Sequence, residues 1–160
     1  MTDLRVGIGV DAHAFSEEAV LVLGGVELPG EAGLAGHSDG DVVAHALVDA
    51  VLGAVGLGDI GSFFPSDDAE WEGASSLLFL ERAMAAVREA GYELVNADCV
   101  LVGERPRIAP IREEMEARLA AALGVQATRV AVRATTTDGL GFTGRGEGLA
   151  AQAVALLSSR

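Results

Sequence analysis

Asp11 and His13 lie two residues apart at the end of an apolar run, and His45 lies much further along the chain. In extended backbone, residues i and i+2 point to the same face, so Asp11 and His13 can converge on one point. A carboxylate and two imidazoles form a three-ligand set for zinc, with a fourth position open to substrate or water. Asp49 follows His45 by one helical turn and shares its face. There it can accept the proton of the imidazole nitrogen turned away from the metal. The alternative is that each histidine is an isolated core or surface residue, and spacing this loose leaves both readings open.

Two further segments carry anion-binding chemistry. His37-Ser38-Asp39-Gly40-Asp41 precedes a helix, and free backbone amides at a helix start attract phosphate. The same run also reads as a plain turn with Asp41 as N-cap. Ala134-Thr135-Thr136-Thr137-Asp138 is followed by a glycine-rich loop, Gly141 to Gly148, that carries Arg145. Three hydroxyls at a strand end beside an arginine suit a phosphate group; a threonine-rich strand and a loop is the other reading. Gly7-Ile8-Gly9-Val10-Asp11-Ala12 fits the G-x-G-x-x-A dinucleotide pattern. That pattern needs a full strand before it and a helix opening on it, and the segment around Gly7 offers neither.

The elements that must position these residues follow from periodicity and punctuation. Leu4 to Ala12 reads as a strand, followed by a loop carrying His13. Val20 to Leu28 is a second extended run broken by Gly24-Gly25, and Gly30 to Gly40 reads as a loop. A helix begins near Asp41 and runs down near Gly56 to Gly58. Asp59 to Gly73 is irregular. Ser75 or Ser76 caps a second helix that ends at Gly91. Tyr92 to Val102 is a strand, Pro110 to Leu123 a helix closed by Gly124, and Arg129 to Thr137 a strand. Glu147 to Leu157 is ambiguous: its alanines favour helix, while its alternation permits a strand. No internal repeat or linker divides the chain, so residues 1–160 read as one α/β domain.

Composition bounds the function. Among 160 residues, half are hydrophobic but only 4% aromatic, so the core is built from Ala, Val, Leu and Ile. The formal net charge of −13 repels phosphate backbones and anionic lipid, which argues against nucleic-acid and membrane partners. The single cysteine, Cys99, cannot form an internal disulfide and fits a reducing, cytoplasmic setting. No signal-peptide layout is present at Met-Thr-Asp-Leu-Arg, and no apolar stretch is long enough to span a bilayer.

Taken together the motifs resemble the 2-C-methyl-D-erythritol 2,4-cyclodiphosphate synthase family. The likeness covers nearly the whole chain. It is carried by Asp11-Ala12-His13, by His37-Ser38-Asp39-Gly40-Asp41-Val42 with His45 and Asp49, by Gly58-Asp59-Ile60-Gly61, Phe64-Pro65 and Arg105-Pro106-Arg107, and by the stretch from Ala134 to Gly148. The resemblance implies cyclisation of 4-diphosphocytidyl-2-C-methyl-D-erythritol 2-phosphate with release of CMP, a step of non-mevalonate isoprenoid biosynthesis. It implies zinc held by Asp11, His13 and His45, and a second divalent ion, Mg2+ or Mn2+, at the diphosphate. His37 and Thr136 match the positions assigned to transition-state stabilisation. Ser38, Asp59, Ile60, Gly61, Phe64, Pro65, Ser66, Asp67 and Asp68 match the methylerythritol phosphate pocket. Gly103, Glu104, Arg105, Pro106, Arg107, Ile108 and Ala109, with Thr135, Thr136, Thr137 and Asp138, match the cytidine diphosphate pocket, with Phe142 and Arg145 nearby.

The resemblance also implies an α+β fold: a mixed four-stranded β-sheet with helices packed on one face and a ferredoxin-like βαβ arrangement. Three subunits form a homotrimer around the sheets, with active sites between neighbours and a central apolar cavity suited to an isoprenoid diphosphate. By that likeness Glu147 to Leu157 is a strand. The chain departs from the family at three places. Asp138 stands where the family carries Glu, which puts direct contact with the second ion in question. Arg107 stands where Lys is usual, and Ser66 replaces a frequent Asp. The length leaves no room for a fused cytidylyltransferase domain. Two other readings use the same ligands: a zinc-dependent phosphohydrolase acting through metal-bound water, and a non-catalytic module that binds a nucleotide or isoprenoid diphosphate.

Overall fold

The first strand joins two parts of the sheet. In the computed structural model, which describes residues 1–160, β1 (Leu4–Leu23) runs for 20 residues. Its first half, through Ala14, pairs antiparallel with β5 (Gly148–Ser159). From Phe15 onward it pairs antiparallel with β2 (Val26–Leu34), with breaks in register between Ser16 and Val20 and between Val20 and Leu21. Gly24 and Gly25, at φ +56° and +79°, form the hairpin turn between the two strands. Two successive residues at positive φ suit the right-handed twist of the flanking strands, and glycine adopts that geometry without a steric penalty.

β3 (Tyr92–Val102) lies antiparallel to β5 and parallel to β4 (Val130–Thr135), giving the order β2-β1-β5-β3-β4. The sheet is therefore mixed, but it has five strands where four were expected. His13 lies inside β1 and not in a loop after it, and Gly30 to Leu34 belongs to β2. The polar run Ser16-Glu17-Glu18 breaks the alternation that marks a strand, and the glycines of β2 imitate a loop. Ser16 pairs with Gly33 and Val20 with Ala32, and the residues between the paired positions are accommodated as an irregularity in the ladder.

The βαβ element is present once, between β3 and β4, and β2 interrupts the connection from β1 to β3. β3 and β4 are joined through α4 (Arg112–Leu123), and β1 runs parallel to β3 with β5 inserted between them. The ferredoxin-like chain order β-α-β-β-α-β is not followed, because two strands precede the first helix.

The helices cover one face of the sheet. α1 (Val42–Ala54) is buried almost all round and packs on β1, β5 and β3 and against α3 (Ser76–Glu89). A helix with so few polar positions is stable only in such surroundings. Its approach to β1 is very close. A Cβ on Gly9 would lie 1.8 Å from the Ala46 carbonyl oxygen, and one on Gly7 1.9 Å from that of Ala50. On the opposite face of the same strands, Val6, Ile8, Val10 and Val154 remain exposed.

Asp41 caps α1, and its carboxylate also accepts from Gly24 N and Gly25 N in the hairpin turn, at 2.9 and 2.7 Å. Burial and the nearby Asp39 carboxylate push Asp41 up to about 6, against the pull of these backbone N–H donors. Two short helices, α2 (Ile60–Phe63) and α5 (Gly141–Gly144), lie in the connections. No helix is long and apolar enough to cross a membrane.

Candidate active site

The close packing of α1 on β1 brings His45 to Asp11 and His13. Asp11 and His13 leave the same side of β1, and His45 lies one turn into α1. His13 Nε2 is 2.8 Å from Asp11 Oδ2, His45 Nδ1 is 3.0 Å from the same oxygen, and the two ring nitrogens are 3.2 Å apart. A tetrahedral zinc with bonds of about 2.0–2.1 Å would space its ligand atoms about 3.3 Å apart, so this triangle is already close to the required size.

The hydrogen bonds around the triangle decide where the imidazole protons sit. His13 Nδ1 lies 2.7 Å from the Ala35 carbonyl oxygen, which can only accept, so Nδ1 carries the proton of the neutral ring and Nε2 offers a lone pair. His45 Nε2 lies 2.7 Å from Ser76 Oγ and 3.0 Å from Ser38 Oγ. Two imidazole nitrogens and a carboxylate thus surround one point, and they are the chain's one group of this kind. This donor set fits a borderline-soft divalent ion such as zinc. Burial opposes charge on Asp11, yet the pull of His13 and His45, which donate to it when a proton sits on the facing ring nitrogen, prevails and holds its carboxyl at about 2. Asp11 in turn raises His13, against the burial of the ring.

A cavity of about 570 Å³ opens beside the triangle. Its walls include His37 and Ser38 from the loop before α1, and Ile60, Gly61, Phe64, Pro65, Ser66 and Asp67 from the segment after it. Asp59 caps α2 through Ser62 N, and Asp68 supplies the carbonyl to which His37 Nε2 donates at 2.9 Å. Trp71 and Phe79 complete the wall, with Phe64 stacked on Phe79 at 4.3 Å and Trp71 edge-on to both. Sequence reasoning missed these two aromatics, which are distant in the chain and carry no motif. The lining holds two carboxylates and neither Lys nor Arg. An anionic group entering here needs a cation at the Asp11–His13–His45 triangle.

Asp49 does not meet His45 as expected. Its Oδ1 accepts from Ile60 N at 2.7 Å and so anchors the start of α2, while Ser76 and Ser38 take the place beside His45 Nε2. Asp49 points along the same helix face, but α2 supplies a free backbone N–H within its reach.

A second cavity, of about 380 Å³, is formed where β3 and β4 end. Gly103, Glu104, Pro106, Arg107, Ile108 and Ala109 line it together with Thr135 and Thr136, joined by Arg112 and Ala134. Arg105 instead lies over the Phe15 ring, 4.8 Å from its centre. Thr137 donates to the Leu140 carbonyl, and Asp138, at φ +53°, accepts from the Thr136 hydroxyl at 3.2 Å. Phe142 and Arg145 line neither cavity, and Arg145 pairs with Glu147 at 2.8 Å. No residue lines both cavities.

An α+β fold that sets two histidines and a carboxylate, a group able to hold a metal ion, beside a cavity of about 570 Å³ has the layout of an enzyme acting on a small molecule. Comparison with known proteins narrows this. The YgbB family model matches residues 4–158, and the chain belongs to that family. The 2-C-methyl-D-erythritol 2,4-cyclodiphosphate synthase of Rubrobacter xylanophilus is 58% identical, over 98% of this chain and 96% of its own. The bifunctional IspDF of Campylobacter jejuni superposes with a TM-score of 0.96 at 41% identity. The match takes in all of this chain but 43% of that one. The IspF of Plasmodium falciparum, solved as a CDP complex, superposes with a TM-score of 0.85 at 31% identity, over 98% of this chain and 97% of its own.

Proposed function

We propose that the chain cyclises 4-diphosphocytidyl-2-C-methyl-D-erythritol 2-phosphate to 2-C-methyl-D-erythritol 2,4-cyclodiphosphate and releases CMP. The observation that carries this is the convergence of Asp11 Oδ2, His13 Nε2 and His45 Nδ1 beside the larger cavity, in a chain 58% identical to a synthase of that name. In the reaction a 2-phosphate oxygen forms a bond to the β-phosphorus of the same molecule. The bond from that phosphorus to the oxygen bridging to CMP breaks, and CMP leaves with the electron pair. Holding both groups of one molecule together can contribute on the order of 7–11 kcal/mol.

Asp11, His13 and His45 would hold zinc, which supplies positive charge to polarise a phosphate oxygen. His37 and Ser38 grip the substrate at the mouth of the same cavity, while Asp59 to Asp68 shape the pocket for the methylerythritol phosphate. Thr135, Thr136 and residues 103–109 hold the cytidine diphosphate end, where Arg107 and Arg112 offset the protein's negative charge. Asp138 is the candidate ligand for a second ion, Mg2+ or Mn2+. The active unit is a homotrimer: the exposed apolar face of Val6, Ile8, Val10 and Val154 packs around the axis, and the space it encloses suits an isoprenoid diphosphate. Residues 1–160 act as one synthase domain, in the cytoplasm.

The test is incubation with the cytidylyl substrate, zinc and magnesium, following CMP and the cyclic product by phosphorus NMR in oxygen-18 water. The synthase reading predicts CMP with no label in the product. Label uptake would identify a hydrolase, and zinc and CDP binding without CMP release would identify a binding module.

A further inference from the structure

His45 is held from behind by a second polar cluster that lies outside the substrate cavity. Asp39 Oδ2 accepts from Ser76 N at 2.9 Å, and Asp39 Oδ1 accepts both from Asp41 N at 3.0 Å and from the Ser76 hydroxyl. An ionised carboxylate can only accept, so the single hydroxyl proton of Ser76 is committed to Asp39. Ser76 Oγ, 2.7 Å from His45 Nε2, must then act there as acceptor. Ser76 is wholly buried, and Phe79 stacks on the His45 ring with centres 6.1 Å apart, so neither group has room to turn away.

We propose that Ser76, oriented by Asp39, is a positioning residue that holds His45 in the tautomer with its proton on Nε2, leaving the Nδ1 lone pair to face Asp11 and His13. A hydrogen bond to the far ring nitrogen fixes both the orientation and the basicity of a metal-binding imidazole. In this chain a serine relays that bond from a carboxylate. Asp39 is anchored in turn by the first turn of α3, where the helix dipole favours negative charge. The geometry of the metal centre therefore depends on the docking of α3 as well as on β1 and α1. Ser38, at 3.0 Å, shares the Nε2 proton but lines the substrate cavity, so Ser76 is the partner that substrate does not reach.

The inference rests on the reading of Asp11, His13 and His45 as zinc ligands. The test compares wild type, Ser76→Ala and Ser76→Thr by zinc affinity, through competition with a chromophoric chelator. The same proteins, zinc-loaded and nitrogen-15 labelled at histidine, are examined for the His45 side-chain N–H. Ser76→Ala is expected to bind zinc about 10–100-fold more weakly and to lose the solvent-protected Nε2–H signal, with both restored in Ser76→Thr. Either readout unchanged in Ser76→Ala overturns the proposal. If Ser76→Ala does not fold, Asp39→Asn decides: it should weaken zinc binding and expose the same proton, and wild-type values would overturn the proposal. Wild-type protein that binds zinc without releasing CMP refutes the assigned reaction and leaves the positioning of His45 standing.

Discussion

His13 is the residue at which proton and metal compete. Zinc requires the neutral ring, and Asp11 raises the ring's affinity for a proton above its ordinary value. The sign follows. Below the raised value His13 is charged and pairs with Asp11, and that pairing is lost as pH rises through it; zinc binding runs the other way. Zinc affinity should be flat at high pH and fall by about tenfold per pH unit once His13 protonates. The break should lie above the ordinary histidine value of 6.5. Chelator competition across the range locates it, and a break at or below that value would contradict the Asp11–His13 pairing. Thr136 gives a separate expectation: its hydroxyl lies at the second cavity, bonded to Asp138. Thr136→Ala should lower kcat by about 10-fold or more with a smaller change in KM, and an unchanged kcat removes it from the mechanism. At this scale the residues alone leave Asp11, His13 and His45 open between a ligand set and isolated histidines; the family resemblance selects the set, and the structure brings the three together. Ser76 was not legible in the sequence: a serine ahead of an apolar run reads as a helix cap, a role that Ser75 in fact takes.

The elements set how near those residues come. β1 and α1 contribute all three ligand atoms, and their spacing is governed by Gly7 and Gly9, where any side chain would overlap the helix backbone. Gly9→Ala should therefore cost about 1–3 kcal/mol or more in stability. It should also push α1 off the strand, so that zinc affinity falls although no ligand has changed. Thermal unfolding and chelator competition measure the two effects. Wild-type zinc affinity in a destabilised variant would show that the ligands follow the local loops and not the helix–strand spacing. Here too the sequence was partly legible. α1, α3, α4, β3 and β4 follow periodicity and glycine punctuation. For Glu147 to Leu157 the residues alone permit helix or strand and only the resemblance favours strand; its small inward residues Ala151, Ala153 and Ala155 are buried beneath the helices. The middle of β1, from His13 to Ala19, and the glycines of β2 escaped, because strand character there comes from the neighbouring strand and not from side-chain alternation.

On the scale of the whole molecule, one chain carries two separate cavities. The metal triangle opens into one cavity and the threonine–arginine segment into another, and no side chain borders both. A substrate with a methylerythritol phosphate at one end and a cytidine diphosphate at the other fits this arrangement if neighbouring subunits set unlike cavities against each other. Val6, Ile8 and Val10 are exposed, and on the proposed assembly they would form the apolar face on which such subunits meet. Inactive chains should then rescue one another. His45→Ala spoils the metal half and spares the threonine half, and Thr136→Ala does the reverse. In trimers reassembled from equal amounts of the two, with head-to-tail contacts, about one interface in four joins two intact halves. CMP release should therefore reach about a quarter of the wild-type rate per subunit, well above the average of the two variants alone. Mixing without dissociation and reassembly should give only that average. A reassembled mixture that stays at the average, with mixed trimers confirmed by native mass spectrometry, would place both halves of each site within a single chain.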